Sequence, residues 1–223
     1  IYSEQVDSLH SDTTTKAASV TESKVLKWAD KLTTDSKAVS EAYKKKLGAN
    51  FEFLYAPLDV TKFNDLPDVS KKEKQVIYIG RDSYEKGIDI LRDIESKING
   101  SVVYCTDLEW QETMSELKAS SVLVVPSRME SIPQVIKEAF FLNIPVVATK
   151  VGGIPELIEH EKNGLLVDLN DPIQLVNSVN ELLENKEKAK NIAQAGYEFV
   201  TENLTWEVLL PKYVKFYEDL VKS

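Results

Sequence analysis

A chain of 223 residues with 43% hydrophobic content has apolar side chains for one substantial core, or for one core and part of a second. Its formal net charge of -9 argues against a nonspecific binder of nucleic-acid phosphates. A single cysteine, Cys105, leaves no internal disulfide, and His10 and His160 are too few for a histidine metal centre, so no metal is expected and the chain reads as cytoplasmic.

Taken in chain order, Val25, Trp28, Ala29 and Leu32 recur at helical spacing, and Val39, Tyr43 and Leu47 repeat every four residues up to Gly48, a helix stop. Phe51 to Tyr55 reads as a strand, followed by loop and linker around Ala56-Pro57-Leu58-Asp59 and Asp65 to Ser70. From Lys71 the rhythm becomes strand, turn, helix. Gln75 to Ile79 is a strand ending at Gly80, and a helix from near Lys86 carries Ile88, Leu91, Ile94 and Ile98. Ser101 to Cys105 is the next strand, and Leu108 to Ala119 a helix with Met114 and Leu117 inward. Ser121 to Val125 is apolar throughout, as a strand covered on both faces should be.

Ser131 with Gln134 three residues on forms a capping-box pattern for the following helix, and Pro133 falls in its first turn. Ile144 to Ala148 is a strand leading to Gly152-Gly153, a short helix from Pro155 to His160, the Asn163-Gly164 turn and Leu165 to Val167. Asp171-Pro172 opens a helix carrying Leu175, Val179, Leu182 and Leu183, and another carries Ile192, Ala195 and Phe199. The last element, Trp206 to Leu220, is expected to break or kink at Pro211. No apolar run approaches the ~20 residues that span a bilayer, and the first thirty residues lack a secretory-signal pattern. A start at Ile1 rather than methionine suits a fragment or a processed chain.

This alternation predicts an α/β fold with a mainly parallel, doubly wound sheet and helices on both faces. In this class ligands lie beyond the carboxyl ends of the strands, and the chemistry-bearing residues fall there. Arg81 and Lys86 flank a loop that opens a helix, where both can meet a diphosphate; the plain alternative is two surface charges. Glu130 and Glu138 lie about 12 Å apart if their helix starts near Ser131, the scale of a nucleotide sugar rather than a metal ion. Their plain alternatives are a solvated acid before a helix and a charge on the polar side with Gln134 and Lys137. Gly152-Gly153 either lets backbone N–H groups approach a ligand or merely marks a turn. Ser127 and Arg128 open the same pocket, with Arg128 equally readable as surface.

Gly80-Arg81 with Lys86-Gly87, Pro126-Ser127, Glu130 and Glu138, Ala139, Pro145 to Ala148, Gly152-Gly153-Ile154-Pro155-Glu156 and Asn163 to Val167 follow one another in a telling order. Together they resemble the C-terminal half of a retaining glycosyltransferase of the GT-B fold, in the glycosyl transferases group 1 family, which includes sucrose and glycogen synthases. The resemblance runs from Gln75 to about Trp206 and more faintly from Ala29. It implies a Rossmann-like donor domain that takes a nucleotide-diphosphate sugar, with neither cofactor nor metal, and passes its hexose to a saccharide or lipid-linked acceptor hydroxyl with retention. A lipid-linked acceptor would put the complete enzyme in peripheral contact with a membrane.

By that resemblance Arg81 and Lys86 grip the diphosphate, Glu130 holds the transferred sugar and Glu138 the ribose. Gly80, Ser127, Arg128, Ser131, Ile132, Gly152 and Gly153 complete the donor site. Residues 1–70 correspond to the tail of the acceptor-side domain and a linker, 71–205 to the donor domain, and 206–223 to a helix crossing back toward the N-terminal half, most of which is missing. The chain departs from the family in two places. It lacks a strand and helix usual between Ile98 and Cys105, and Pro133 stands where glycine is common. A sugar-nucleotide epimerase of GT-B fold and an inactive sugar-nucleotide-binding module are the alternatives.

Overall fold

The computed structural model describes residue 26 and residues 28–222. Val25 of the first expected helix lies outside them, and Trp28 to Leu32 form turn and irregular backbone. A small piece follows, in which β1 (Thr33–Thr34) pairs in parallel with β2 (Glu52–Phe53) on either side of α1 (Lys37–Leu47). α1 starts where the Ser36 hydroxyl accepts from the Val39 N–H, and it stops at Gly48, whose φ of 65° suits a residue without Cβ. The strand expected from Phe51 to Tyr55 is only two residues long, as is its partner β1.

The main body is a parallel sheet of β3 (Gln75–Ile79), β4 (Ser101–Cys105), β5 (Val122–Val125), β6 (Val146–Thr149) and β7 (Leu165–Val167), in the order β4-β3-β5-β6-β7. Its helices are α2 (Ile88–Ile94), α3 (Trp110–Ala119), α4 (Gln134–Phe141), α5 (Ile154–Leu157), α6 (Pro172–Glu184), α7 (Lys186–Asn203) and α8 (Trp206–Lys222). Alternate strand residues reach opposite layers. Val76, Tyr78, Val122, Val124, Val147 and Leu165 pack with Ile88, Leu91 and Ile94 of α2 and with Leu175, Val179 and Leu182 of α6. Ile77, Leu123, Val125, Val146, Ala148 and Leu166 pack with Met114 and Leu117 of α3 and with Ile136, Ala139 and Phe140 of α4. Covering both faces makes the sheet doubly wound, and each fully buried Leu or Ile adds about 1.5–3 kcal/mol.

Three local expectations are corrected. Ser131 does not cap α4; the cap position is Pro133, with no side-chain hydrogen bond, because the Ser131 hydroxyl donates instead to Asp35. Lys137, expected on a polar helix face, is 1% exposed. α8 is not broken at Pro211 but continues through it, and since Pro211 is exposed, water can take up the Glu207 carbonyl left without an N–H partner.

The chain enters the sheet domain through a tightly held junction. The Tyr55 carbonyl accepts from the Tyr213 hydroxyl, the Ala56 carbonyl from Lys137 Nζ at 2.7 Å, and the Leu58 N–H donates to the Leu204 carbonyl. Burial pushes the Lys137 ammonium down from 10.5 to about 8, against the opposing pull of Asp35 and Glu138. The unfolded chain keeps this proton up to the ordinary lysine value, whereas the folded chain releases it near 8. Its destabilising effect is therefore complete below pH 8 and fades as pH rises toward 10.5, by about 3 kcal/mol in all. Lys137→Met removes the bond to the Ala56 carbonyl together with this pH-dependent cost, so its stability relative to the parent is expected to fall as pH rises from 8 to 10.5, as urea unfolding at a series of pH values will show.

Strand order also fixes where a ligand can lie. From β3 the chain crosses to β4 on one side and then returns to β5 on the other, so the carboxyl ends of β3 and β5 border the switch-point crevice of the sheet.

Candidate functional site

Two loops meet over that crevice, one after β3 and one after β5. The Glu85 carbonyl accepts from the N–H groups of Arg128 and Met129, and a Cβ on Gly87 would stand 2.0 Å from the Pro126 carbonyl oxygen, so the backbones touch where only glycine fits. This contact brings Lys86 to Glu130. Lys86 Nζ lies 3.0 Å from both carboxylate oxygens, and the Ser127 hydroxyl donates to Oε1 at 2.8 Å. The Ser127 carbonyl accepts in turn from the Thr149 hydroxyl at the end of β6. The pair is secluded, with side-chain exposures of 22% for Lys86 and 8% for Glu130. A low-dielectric surrounding strengthens their attraction and raises the cost of separating them.

The loop after β6 closes the site from beneath. Gly152 has φ 51°, and a Cβ there would stand 1.8 Å from the Glu130 carbonyl oxygen. A Cβ on Gly153 would stand 2.2 Å from the Ser131 carbonyl oxygen, and the Gly153 N–H donates to the Glu130 carbonyl at 3.4 Å. Ile132 is buried against the same core. Glu130, Ser131, Gly152 and Gly153 thus form one packed unit.

Glu138 stands one turn into α4 and is 8% exposed. Burial raises its pKa, opposed by a hydrogen bond from the Trp110 indole N–H at 3.0 Å and by Lys137 and Lys62. Arg81 and Gly80 occupy the first turn after β3, where the buried Tyr78 hydroxyl donates to the Arg81 carbonyl. Burial pushes that phenol up to about 12, with Asp82 and Glu130 adding to the shift. Arg128 is not gathered with these residues. Its guanidinium forms a two-pronged pair with Asp89 of α2 at 2.7 Å and stacks over the Tyr84 ring at 3.9 Å.

Three contributors escape a reading of spacing alone. Glu156, the last residue of the double-glycine motif, caps α1 from across the junction. It accepts from the Ser36 hydroxyl, the Lys37 and Ala38 N–H groups and the Tyr55 hydroxyl. Asp35 holds Ser131, and Trp110 holds Glu138. Trp110 carried a signal after all, since it is an aromatic donor just beyond a strand end.

Residues 92–199 match the model of the family described as Glycosyl transferases group 1. The match runs from the middle of α2 to near the end of α7, just under half of the chain. The chain is 37% identical over 111 residues to an uncharacterized glycosyltransferase of Methanocaldococcus jannaschii, covering 50% of this chain and 31% of that protein. It is 25% identical over 199 residues to an N-acetyl-alpha-D-glucosaminyl L-malate synthase of Bacillus anthracis, covering 77% of this chain and 52% of the relative. The chain thus spans about a third to a half of these curated relatives.

Among solved structures, a sucrose-phosphate synthase from Thermosynechococcus elongatus superposes with a TM-score of 0.83 at 22% identity, over 100% of this chain and 64% of that one. HepE of Anabaena, solved in complex with UDP-glucose, gives 0.80 at 18% identity, over 97% and 71%. These likenesses establish the fold: a doubly wound parallel sheet matching the Rossmann-like C-terminal domain of GT-B glycosyltransferases. Among the described residues no helix is long and apolar enough to cross a membrane.

Proposed function

We propose that this chain is the donor-binding half of a retaining glycosyltransferase, transferring a hexose from a nucleotide-diphosphate sugar to an acceptor hydroxyl. The observation that carries the reading is the secluded Lys86–Glu130 pair at the switch-point crevice, with Glu138 further along the same segment. In the free protein the two charges satisfy each other. With a donor bound, Lys86 and Arg81 turn to the diphosphate and stabilise the negative charge that grows as the bond from the sugar's anomeric carbon to phosphate oxygen breaks. Glu130, released from Lys86, takes hydroxyls of the hexose, and Glu138 takes the ribose. Ser127, Ser131, Ile132, Gly80, Gly152 and Gly153 line the donor, and Arg128 braces the loop through Asp89. The acceptor oxygen bonds to the anomeric carbon on the face the phosphate leaves, and its proton passes to that phosphate. Configuration is kept without a protein nucleophile.

Residues 1–70 belong in this reading to the tail of an acceptor-side domain and its linker, 71–205 to the donor domain, and 206–223 to the returning helix. α8 supports this division, since Trp206, Leu210, Val214, Tyr217 and Val221 leave an apolar stripe exposed along it. The chain crosses no bilayer in this reading and works in the cytoplasm, reaching a lipid-linked acceptor from the membrane surface.

Calorimetric titration with UDP-, GDP- and ADP-sugars tests the donor site directly. One of them is expected to saturate, and absence of saturable binding to all three would sink the proposal. Glu138→Ala is expected to weaken that donor by about 1–3 kcal/mol, or roughly 5- to 150-fold in Kd, through lost ribose hydrogen bonds.

A further inference from the structure

We propose that Trp110 is a positioning residue for the nucleoside: its indole N–H fixes one oxygen of Glu138 and leaves the other turned toward the ribose hydroxyls. The inference rests on the donor-site reading above and adds a residue to it. Trp110 is the first residue of α3, just past the end of β4, and its Nε1 lies 3.0 Å from Glu138 Oε1. The ring is backed by Phe63, whose centroid is 5.2 Å away at 77°, and Phe63 is itself buried against Phe141. Trp110 is thus fixed from behind by an aromatic pair while it stays half-exposed.

Chemistry limits what this contact can be. An indole N–H only donates, so it meets a lone pair of the carboxylate and favours the charged form of a group that burial would neutralise. One N–H fills one of about four acceptor positions on the carboxylate, and the remaining oxygen can still take hydroxyl hydrogens. A carboxylate without this anchor could turn about its terminal bond, and ordering it would weaken the bound state. Phenylalanine would fill the same space against Phe63 but offers no N–H. Packing and positioning can therefore be separated by one substitution.

The test compares the parent chain with Trp110→Phe, titrating UDP, GDP and ADP and their 2′-deoxy and 3′-deoxy counterparts by calorimetry. The parent is expected to prefer the ribonucleotide, and Trp110→Phe to lose about tenfold for it while holding the deoxy forms almost unchanged. An equal loss for both forms would reduce Trp110 to a packing residue, and unchanged affinities would overturn the proposal outright. Carboxyl carbon NMR of Glu138 gives a readout that needs no nucleotide: Trp110→Phe should raise its titration midpoint. An unchanged midpoint alongside intact nucleotide binding overturns the role of Trp110 alone. A parent that binds no nucleotide diphosphate overturns the donor site, and the ribose role proposed for Trp110 with it.

Discussion

Lys86→Met is expected to lower sugar transfer by the complete enzyme about 100- to 1000-fold, the effect of removing one charged stabiliser from a developing anion. The same change leaves Glu130, 8% exposed at its side chain, beside an apolar group. Breaking a buried pair costs about 3–5 kcal/mol, and the partial exposure of Lys86 puts the loss at the low end. Two effects then overlap in one variant. They part in the double variant Lys86→Met with Glu130→Gln, where no charge is left unpaired. Stability should recover there while transfer stays as low as in the single variant. Transfer within threefold of the parent in Lys86→Met would remove Lys86 from the mechanism, and a double variant as unstable as the single would show that the pair is not what holds the two loops.

The features legible in the sequence are those whose cause is local. Val122 to Val125 is apolar because the sheet is covered on both faces, and Ile88, Leu91 and Ile94 recur because one helix face meets that sheet. Lys86 and Glu130 stand out because each follows a strand, and strand ends converge in a doubly wound fold. Spacing fails where a distant group competes for a side chain. The Ser131 hydroxyl had a local use as a cap, but Asp35, 96 residues away, takes it. Lys137 looked like a surface charge beside Gln134, yet the Ala56 carbonyl, 81 residues back, draws it inward. Arg128 follows a strand just as Glu130 does, and the bidentate geometry offered by Asp89 turns it along α2 instead. Glu156 illustrates the same limit from the other side. Its residue type is visible in the double-glycine motif, but the helix it caps begins 119 residues earlier. Backbone architecture follows from periodicity, whereas the partner of each charge depends on which loops the finished fold brings together.

Gly152→Ala is expected to be the most damaging conservative change in the loops around the Lys86–Glu130 pair. At φ 51° an L-residue meets the ordinary left-handed penalty of about 1–2 kcal/mol. The added Cβ would also stand 1.8 Å from the Glu130 carbonyl oxygen and 2.9 Å from its carbon, and neither belongs to a flexible side chain that can swing aside. The backbone must move, which adds about 1–3 kcal/mol of overpacking and brings the total to roughly 2–5 kcal/mol. Direction of movement gives the prediction its second half. Pushing the Glu130 carbonyl away shifts the residue whose carboxylate meets Lys86 and Ser127, so donor affinity should fall along with stability. Gly48→Ala is the matched control: it has φ 65° and no atom within 4 Å of an added Cβ, so it carries the left-handed penalty without the clash. Urea unfolding should show Gly152→Ala losing at least about 1 kcal/mol more than Gly48→Ala, with donor binding impaired only in the former. Equal losses and equal donor affinities would mean that the loop after β6 yields to the extra atom, and that Gly152 does not set the position of Glu130.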